Sequence, residues 1–166
     1  ETPLHQFTPG EQVRVETHAG KFMGIAYVNP QSLICGRLVS RDERPLDAAL
    51  LRHRLEHALR LRARLFDAPF YRLVYGESDL LPGLVVDRFG GHLAVQLNSA
   101  GMEAIKGQVI DALRETVGAE SILLRNDSST RSLEGLPLTV EEVGSVPREV
   151  ELIENGVKML APLQDG

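Results

Sequence analysis

The 166-residue sequence has one cysteine, Cys35. A single thiol excludes a disulfide framework and a multi-thiolate zinc cage, and it leads to the expectation of a cytoplasmic location. No apolar run approaches the roughly 18 residues that a membrane span requires, and no basic segment followed by an apolar one opens the chain. Neither Gly-x-Gly-x-x-Gly nor a Walker loop occurs, so the backbone cradle that usually holds a dinucleotide or ATP is missing. A Gly-x-Ser-x-Gly elbow to present a nucleophilic serine is missing too. What is present is globular: 43% apolar and 25% charged residues exclude wholesale disorder. The length suits one ordinary domain or two small ones. Because the chain starts at Glu1 without methionine and closes on Leu163-Gln164-Asp165-Gly166, it is expected to be a piece of something longer.

The net charge of -5 conceals an asymmetry. Residues 1 to 72 hold 11 Lys/Arg against 8 Asp/Glu, whereas residues 73 to 166 hold 7 against 15. Nine arginines crowd residues 37 to 72. A polyanion would therefore meet the first half, although an arginine-rich helix with one solvated face accounts for the same numbers.

Period-2 patterning predicts a short strand at Gln12 to Glu16, and Lys21 to Val28 and Leu33 to Ser40 are two further strand candidates, separated by turns at Ala19-Gly20 and Asn29-Pro30. Three such strands suggest a small β-barrel or part of one. Asp47, after Pro45-Leu46, is placed to cap a helix reaching Phe66, with Leu51, Leu55, Ala58, Leu59 and Phe66 on one stripe and most arginines off it. Beyond Ala68-Pro69, strands are expected at Tyr71 to Tyr75, Leu84 to Arg88 and His92 to Leu97, the last two joined by a Gly90-Gly91 hairpin. A helix over Met102 to Val117 and a strand over Ser121 to Arg125 complete a small α+β layer with its helix on one face. Asn155-Gly156 between Val150 to Glu154 and Val157 to Leu160 predicts a final hairpin.

Two lone features invite a chemical reading. His53-Arg54-Leu55-Glu56-His57 matches the inverted zinc-peptidase pattern on a predicted helix, with Glu134 as a candidate third ligand. Arg52, Arg54, Arg60 and Arg62 crowd the same turns and repel a dication, so two surface histidines and no metal are expected. Cys35, read as mid-strand, has no basic or helix-terminal neighbourhood to lower its pKa and is expected to serve packing.

Several longer stretches carry a family resemblance. They are Gly20-Lys21-Phe22-Met23-Gly24 leading to Asn29-Pro30-Gln31-Ser32 and Arg37; Tyr71 through Gly76-Glu77-Ser78-Asp79; Leu81-Pro82-Gly83 through Val86-Asp87-Arg88-Phe89-Gly90; Arg125-Asn126-Asp127-Ser128 with Arg131 and Glu134-Gly135-Leu136; and Glu154-Asn155-Gly156-Val157. Together they resemble the bacterial S-adenosylmethionine-dependent large-subunit ribosomal RNA methyltransferases of the cytosine-C5 type. The resemblance implies an α+β protein of three parts: a PUA domain for RNA, a small middle domain and a Rossmann-like catalytic domain. Residues 1–44 would be an incomplete PUA-like barrel, 45–68 a connecting helix, 69–148 the middle domain, and 149–166 a hairpin leading to a catalytic domain that this chain lacks.

On that resemblance the partner is ribosomal RNA. The cofactor S-adenosylmethionine would be held by the full-length protein and not by these residues, and this chain alone would be inactive. Cytosine-C5 transfer calls for a thiolate, and Cys35 lies outside the matched motifs. Lys21, Arg37, Arg88, Arg125 and Arg131 are the expected RNA contacts, because each lies in a matched motif and guanidinium suits phosphate. The competing role is loop pinning, with Arg88 on Asp87 or Glu77 and Arg131 on Glu134. Leu80 stands where many relatives have glycine, so its loop need not adopt positive φ. A stand-alone RNA-binding adaptor is the alternative function.

Overall fold

The computed structural model describes residues 3–154 and 156–164. Strands β1 (Gln12–Glu16), β2 (Phe22–Val28) and β3 (Gly36–Ser40) form an antiparallel sheet in that order. The barrel expectation is corrected here: among the described residues these three strands make an open sheet that closes on nothing. The third strand also starts later than its apolar run, at Gly36. Cys35 therefore sits ahead of the strand, its carbonyl accepting from Asn29 N at 2.8 Å.

Helix α1 (Ala48–Leu65) begins where its capping residue predicts, with Asp47 Oδ1 accepting from Leu50 N at 2.7 Å. It buries Leu50, Leu51, Leu55 and Ala58, while Arg52, Arg60 and Arg64 stay at or near the surface. Five further strands follow in sequential order: β4 (Phe70–Tyr75), β5 (Leu84–Phe89), β6 (His92–Leu97), β7 (Ser121–Asn126) and β8 (Thr139–Val143). All neighbours are antiparallel except β6 and β7, which are parallel and joined through α2 (Ala100–Ala104) and α3 (Lys106–Val117). A parallel pair needs such a crossover, and helices supply it. The single helix expected over Met102 to Val117 is thus two, broken at Ile105 (φ −110°, ψ 20°). The shorter helix leans on β2, where Gly101 admits the Tyr27 ring, whereas the longer one lies along α1.

One face of the five-stranded sheet and helices α1 and α3 share the main core, which includes Leu55, Leu84, Val86, Val95, Leu113 and Ile122. Tyr27 and Val39 of the first sheet enter the same core, so the two sheets are one packed body. The opposite sheet face carries a smaller cluster of Leu123, Val146 and Leu163 against Phe89 and Val150. After α4 (Ser129–Leu133), strands β9 (Glu149–Glu154) and β10 (Val157–Pro162) pair as an antiparallel ribbon. The turn predicted at Asn155-Gly156 falls on Asn155, which lies outside the described residues.

Candidate nucleic-acid interface

Four of the motif residues, Asn29, Ser32, Arg37 and Glu134, converge on the joint between the two sheets. Glu134, 3% exposed after the short helix α4, is the hub. Its carboxylate accepts from Asn29 Nδ2 (2.9 Å), Ser32 Oγ (2.8 Å), Arg37 Nη2 (3.4 Å) and the backbone N–H of Ala100 (3.2 Å). Burial pushes its pKa up, yet the hydrogen bonds from Asn29, Ser32 and Ala100 with the charge of Arg37 outweigh that, and the net shift is downward. Tyr27 crosses the same joint: its hydroxyl donates to Pro82 O at 2.5 Å and lies 3.0 Å from Ser99 Oγ. Burial raises the Tyr27 pKa, so the phenol stays protonated. From the helix side, Arg54 donates to the carbonyls of Val39 and Leu80, linking α1 to both sheets.

The Gly76-Glu77-Ser78-Asp79 block acquires a physical account. Gly76 takes φ +53° at the end of β4. Asp79 turns back to accept from Tyr75 N at 2.7 Å and holds Arg62 of α1 through both oxygens, at 2.5 and 2.7 Å. Glu77 reaches outward to Arg37 Nη1 at 3.1 Å. The leucine at position 80 does not spare the loop a left-handed residue: Leu80 adopts φ +60°, the one positive φ outside glycine among the described residues. The left-handed turn is demanded by the surrounding bonds, since Leu80 N donates to Glu77 O and its own carbonyl receives Arg54.

The five predicted RNA contacts occupy separate places. Lys21 is exposed in the turn before β2. Arg37, on β3, bridges Glu77 and Glu134 and keeps its Nε buried without a partner. Arg88 donates to Gly90 O (2.9 Å) and Tyr71 Oη (3.1 Å), not to Asp87 or Glu77. Arg125 pairs with Asp127 at 3.0 Å on the sheet face opposite the helices. Arg131 is 1% exposed and donates to Leu97 O, Pro137 O and Glu103 rather than to Glu134. Its guanidinium is enclosed by the protein and offers no open side to a phosphate.

Sequence reasoning missed Arg72 and Tyr75. Arg72 pairs with Asp87 across β4 and β5, and its guanidinium lies 5.2 Å from the centre of the Tyr75 ring. Strand alternation alone would put Tyr75 on the buried side with Leu73; the register shift between Arg72 and Val74 buries Leu73 and Val74 together and turns Tyr75 out, so no local pattern marks it. With Arg37, Gly76, Glu77 and Asn98, these two line an open cleft of about 280 Å³ between the sheets.

Other ligand chemistry finds little purchase. The C-terminal ends of parallel strands are where open α/β sheets receive nucleotides. Here that position beyond β6 is filled: Ser99 caps Met102 N, Glu134 takes Ala100 N–H, and the Tyr27 ring packs on Gly101. Among the described residues no three His, Cys, Asp or Glu side chains gather as a metal site. No helix among the described residues is long and apolar enough to cross a membrane.

With that geometry in place, the comparisons with known proteins acquire meaning. The family model of the PUA-like domain matches residues 1–41. The chain is 35% identical over 164 residues to ribosomal RNA large subunit methyltransferase I of Cronobacter sakazakii, and 37% identical over 163 residues to the protein of that name in Escherichia coli K12. Each alignment covers 95% of this chain and 41% of the relative, so the chain spans about two fifths of the proteins it matches. Among solved structures, a candidate SAM-dependent methyltransferase from Streptococcus mutans superposes with a TM-score of 0.77 at 18% identity, over 96% of this chain and 42% of that one. A second methyltransferase structure, complexed with SAH, gives a TM-score of 0.79 at 18% identity, over 96% and 41% of the two chains. These structures show that the mixed α+β fold recurs within larger methyltransferase chains.

Proposed function

We propose that this chain is the RNA-binding and scaffold portion of an S-adenosylmethionine-dependent methyltransferase of large-subunit ribosomal RNA, and that the base modified is cytosine at C5. The observation that carries the reading is the alignment over 95% of the chain with ribosomal RNA large subunit methyltransferases. The PUA-like match at residues 1–41 supports RNA as the partner. An adaptor without an enzymatic partner domain is not favoured, because the relatives that align with 95% of this chain are methyltransferases.

The described residues do not fit the methyl donor. The strand end at which a donor would sit in a parallel sheet is filled by Tyr27, Ser99 and Glu134. Nor does Cys35 fit the nucleophile that C6 addition needs: it lies half-buried in a loop ahead of β3, outside the motifs that carry the family resemblance, with its carbonyl accepting from Asn29 N. Donor binding and bond making are therefore assigned to the part of the relatives that lies outside the matched two fifths. What these residues do is hold RNA and fix its orientation through a rigid joint. Labelled S-adenosylmethionine, incubated with the intact gene product and undermodified 23S ribosomal RNA, should transfer methyl groups to cytosine C5. Absence of transfer to RNA rejects the reading, and transfer to another base rejects its finer half.

A further inference from the structure

We infer that the cleft between the two sheets binds one unstacked nucleotide of single-stranded RNA, with its base on the Tyr75 ring and its phosphate on Arg37. The inference rests on the RNA reading above and adds a site to it. Three observations carry it. Tyr75 is 58% exposed although it ends a strand whose preceding residues are fully buried, and its backbone is fixed by Asp79, itself locked by Arg62. An exposed aromatic ring on an anchored backbone is what base stacking uses, and Arg72 over that ring adds a cation to the stack.

The floor is glycine backbone. A Cβ placed on Gly76 would meet nothing nearer than Gly83 N at 3.9 Å, so the space a side chain would fill is open. At about 280 Å³, it has room for a single base rather than a duplex. The cation on its wall is poised for exchange. Arg37 is held from within by the buried Glu134, while its outer partner Glu77 has a side chain 66% exposed. An incoming phosphate can replace the solvated Glu77 carboxylate on Nη1 without disturbing the inner bond, and the buried Nε of Arg37 has no partner to lose.

The test uses the 166-residue chain and a hexamer of oligocytidylate, followed by quenching of tyrosine fluorescence or by filter binding. Tyr75→Ala should weaken the hexamer about tenfold, as loss of one base stack does. Tyr75→Phe should bind within about twofold of the parent, because the π-face is kept. Glu77→Gln should bind about threefold more tightly, since Arg37 loses its competing anion. Melting curves of the variants control for folding. Parent-like binding by Tyr75→Ala, or weakened binding by Glu77→Gln, overturns the site while the RNA reading survives. Failure of the parent chain to bind either the hexamer or 23S ribosomal RNA removes the reading and the site together.

Discussion

At the residue scale, the matched motifs are mostly joinery. Asn29, Ser32 and Arg37 of one short segment meet the buried carboxylate of Glu134, which lies 105, 102 and 97 residues further along the chain. Breaking such a cluster at its centre leaves buried donors unsatisfied, which costs about 2–4 kcal/mol. Glu134→Gln should show this loss at neutral pH in urea unfolding. The sign of the pH dependence follows from the lowered carboxyl pKa: the stabilisation is complete above the ordinary value of 4.5 and is lost as pH falls through the lower folded value. The gap between parent and Glu134→Gln should therefore narrow below about pH 4.5; a gap constant from pH 7 to 3 would refute the assignment. Leu80 supplies the opposite sign. A left-handed non-glycine residue costs roughly 1–2 kcal/mol, and glycine gives back about 0.5–1 kcal/mol in chain entropy. With its side chain 62% exposed, Leu80→Gly forfeits little packing. It should raise the melting temperature by about 1–3 °C, and a lower value would show that the Leu80 side chain matters more than its backbone.

At the element scale, legibility tracked how local the determinant is. Helix α1 was readable because its cap, its stripe and its terminating Ala68-Pro69 all lie within the segment, and Asp47→Ala should cost about 1 kcal/mol by urea titration. The hairpin between β5 and β6 was readable for the same reason, with Phe89 opposite His92 and Gly90 at φ +65°. Strand β8 was not, because Glu141 and Glu142 sit inside it; the strand survives at the sheet edge, and Lys106 reaches across from α3 to Glu141. The break at Ile105 was equally hidden. Periodicity continues through it, whereas the short helix packs its Gly101 on the ring of Tyr27, 74 residues away in sequence. The cleft shows the same limit. Arginines in recognisable motifs drew attention, yet Arg131 is enclosed and Arg88 is tied to Tyr71 and Gly90. Tyr75 and Arg72 gain meaning only when β4 is placed beside β3 and the turn at Gly76.

At the scale of the whole molecule, the joint decides how the two sheets behave. A PUA-like segment linked to a second unit by a single helix could tumble independently, and domain interfaces of modest size leave such motion as the default. Here the core runs through the junction, with Tyr27, Val39 and Leu46 packed among residues of the five-stranded sheet. The polar cluster around Glu134 and the Arg54 bridge close the same seam. Unfolding should then be one cooperative event. Far-ultraviolet circular dichroism, which follows the sheets and helices, should share its urea midpoint with tyrosine fluorescence, which senses Tyr27 at the seam and Tyr71 and Tyr75 in β4. Two separated midpoints would mean that the sheets part before they melt. That outcome would bear on the proposed function, because a scaffold that presents RNA would transmit orientation only while the two sheets move as a single body.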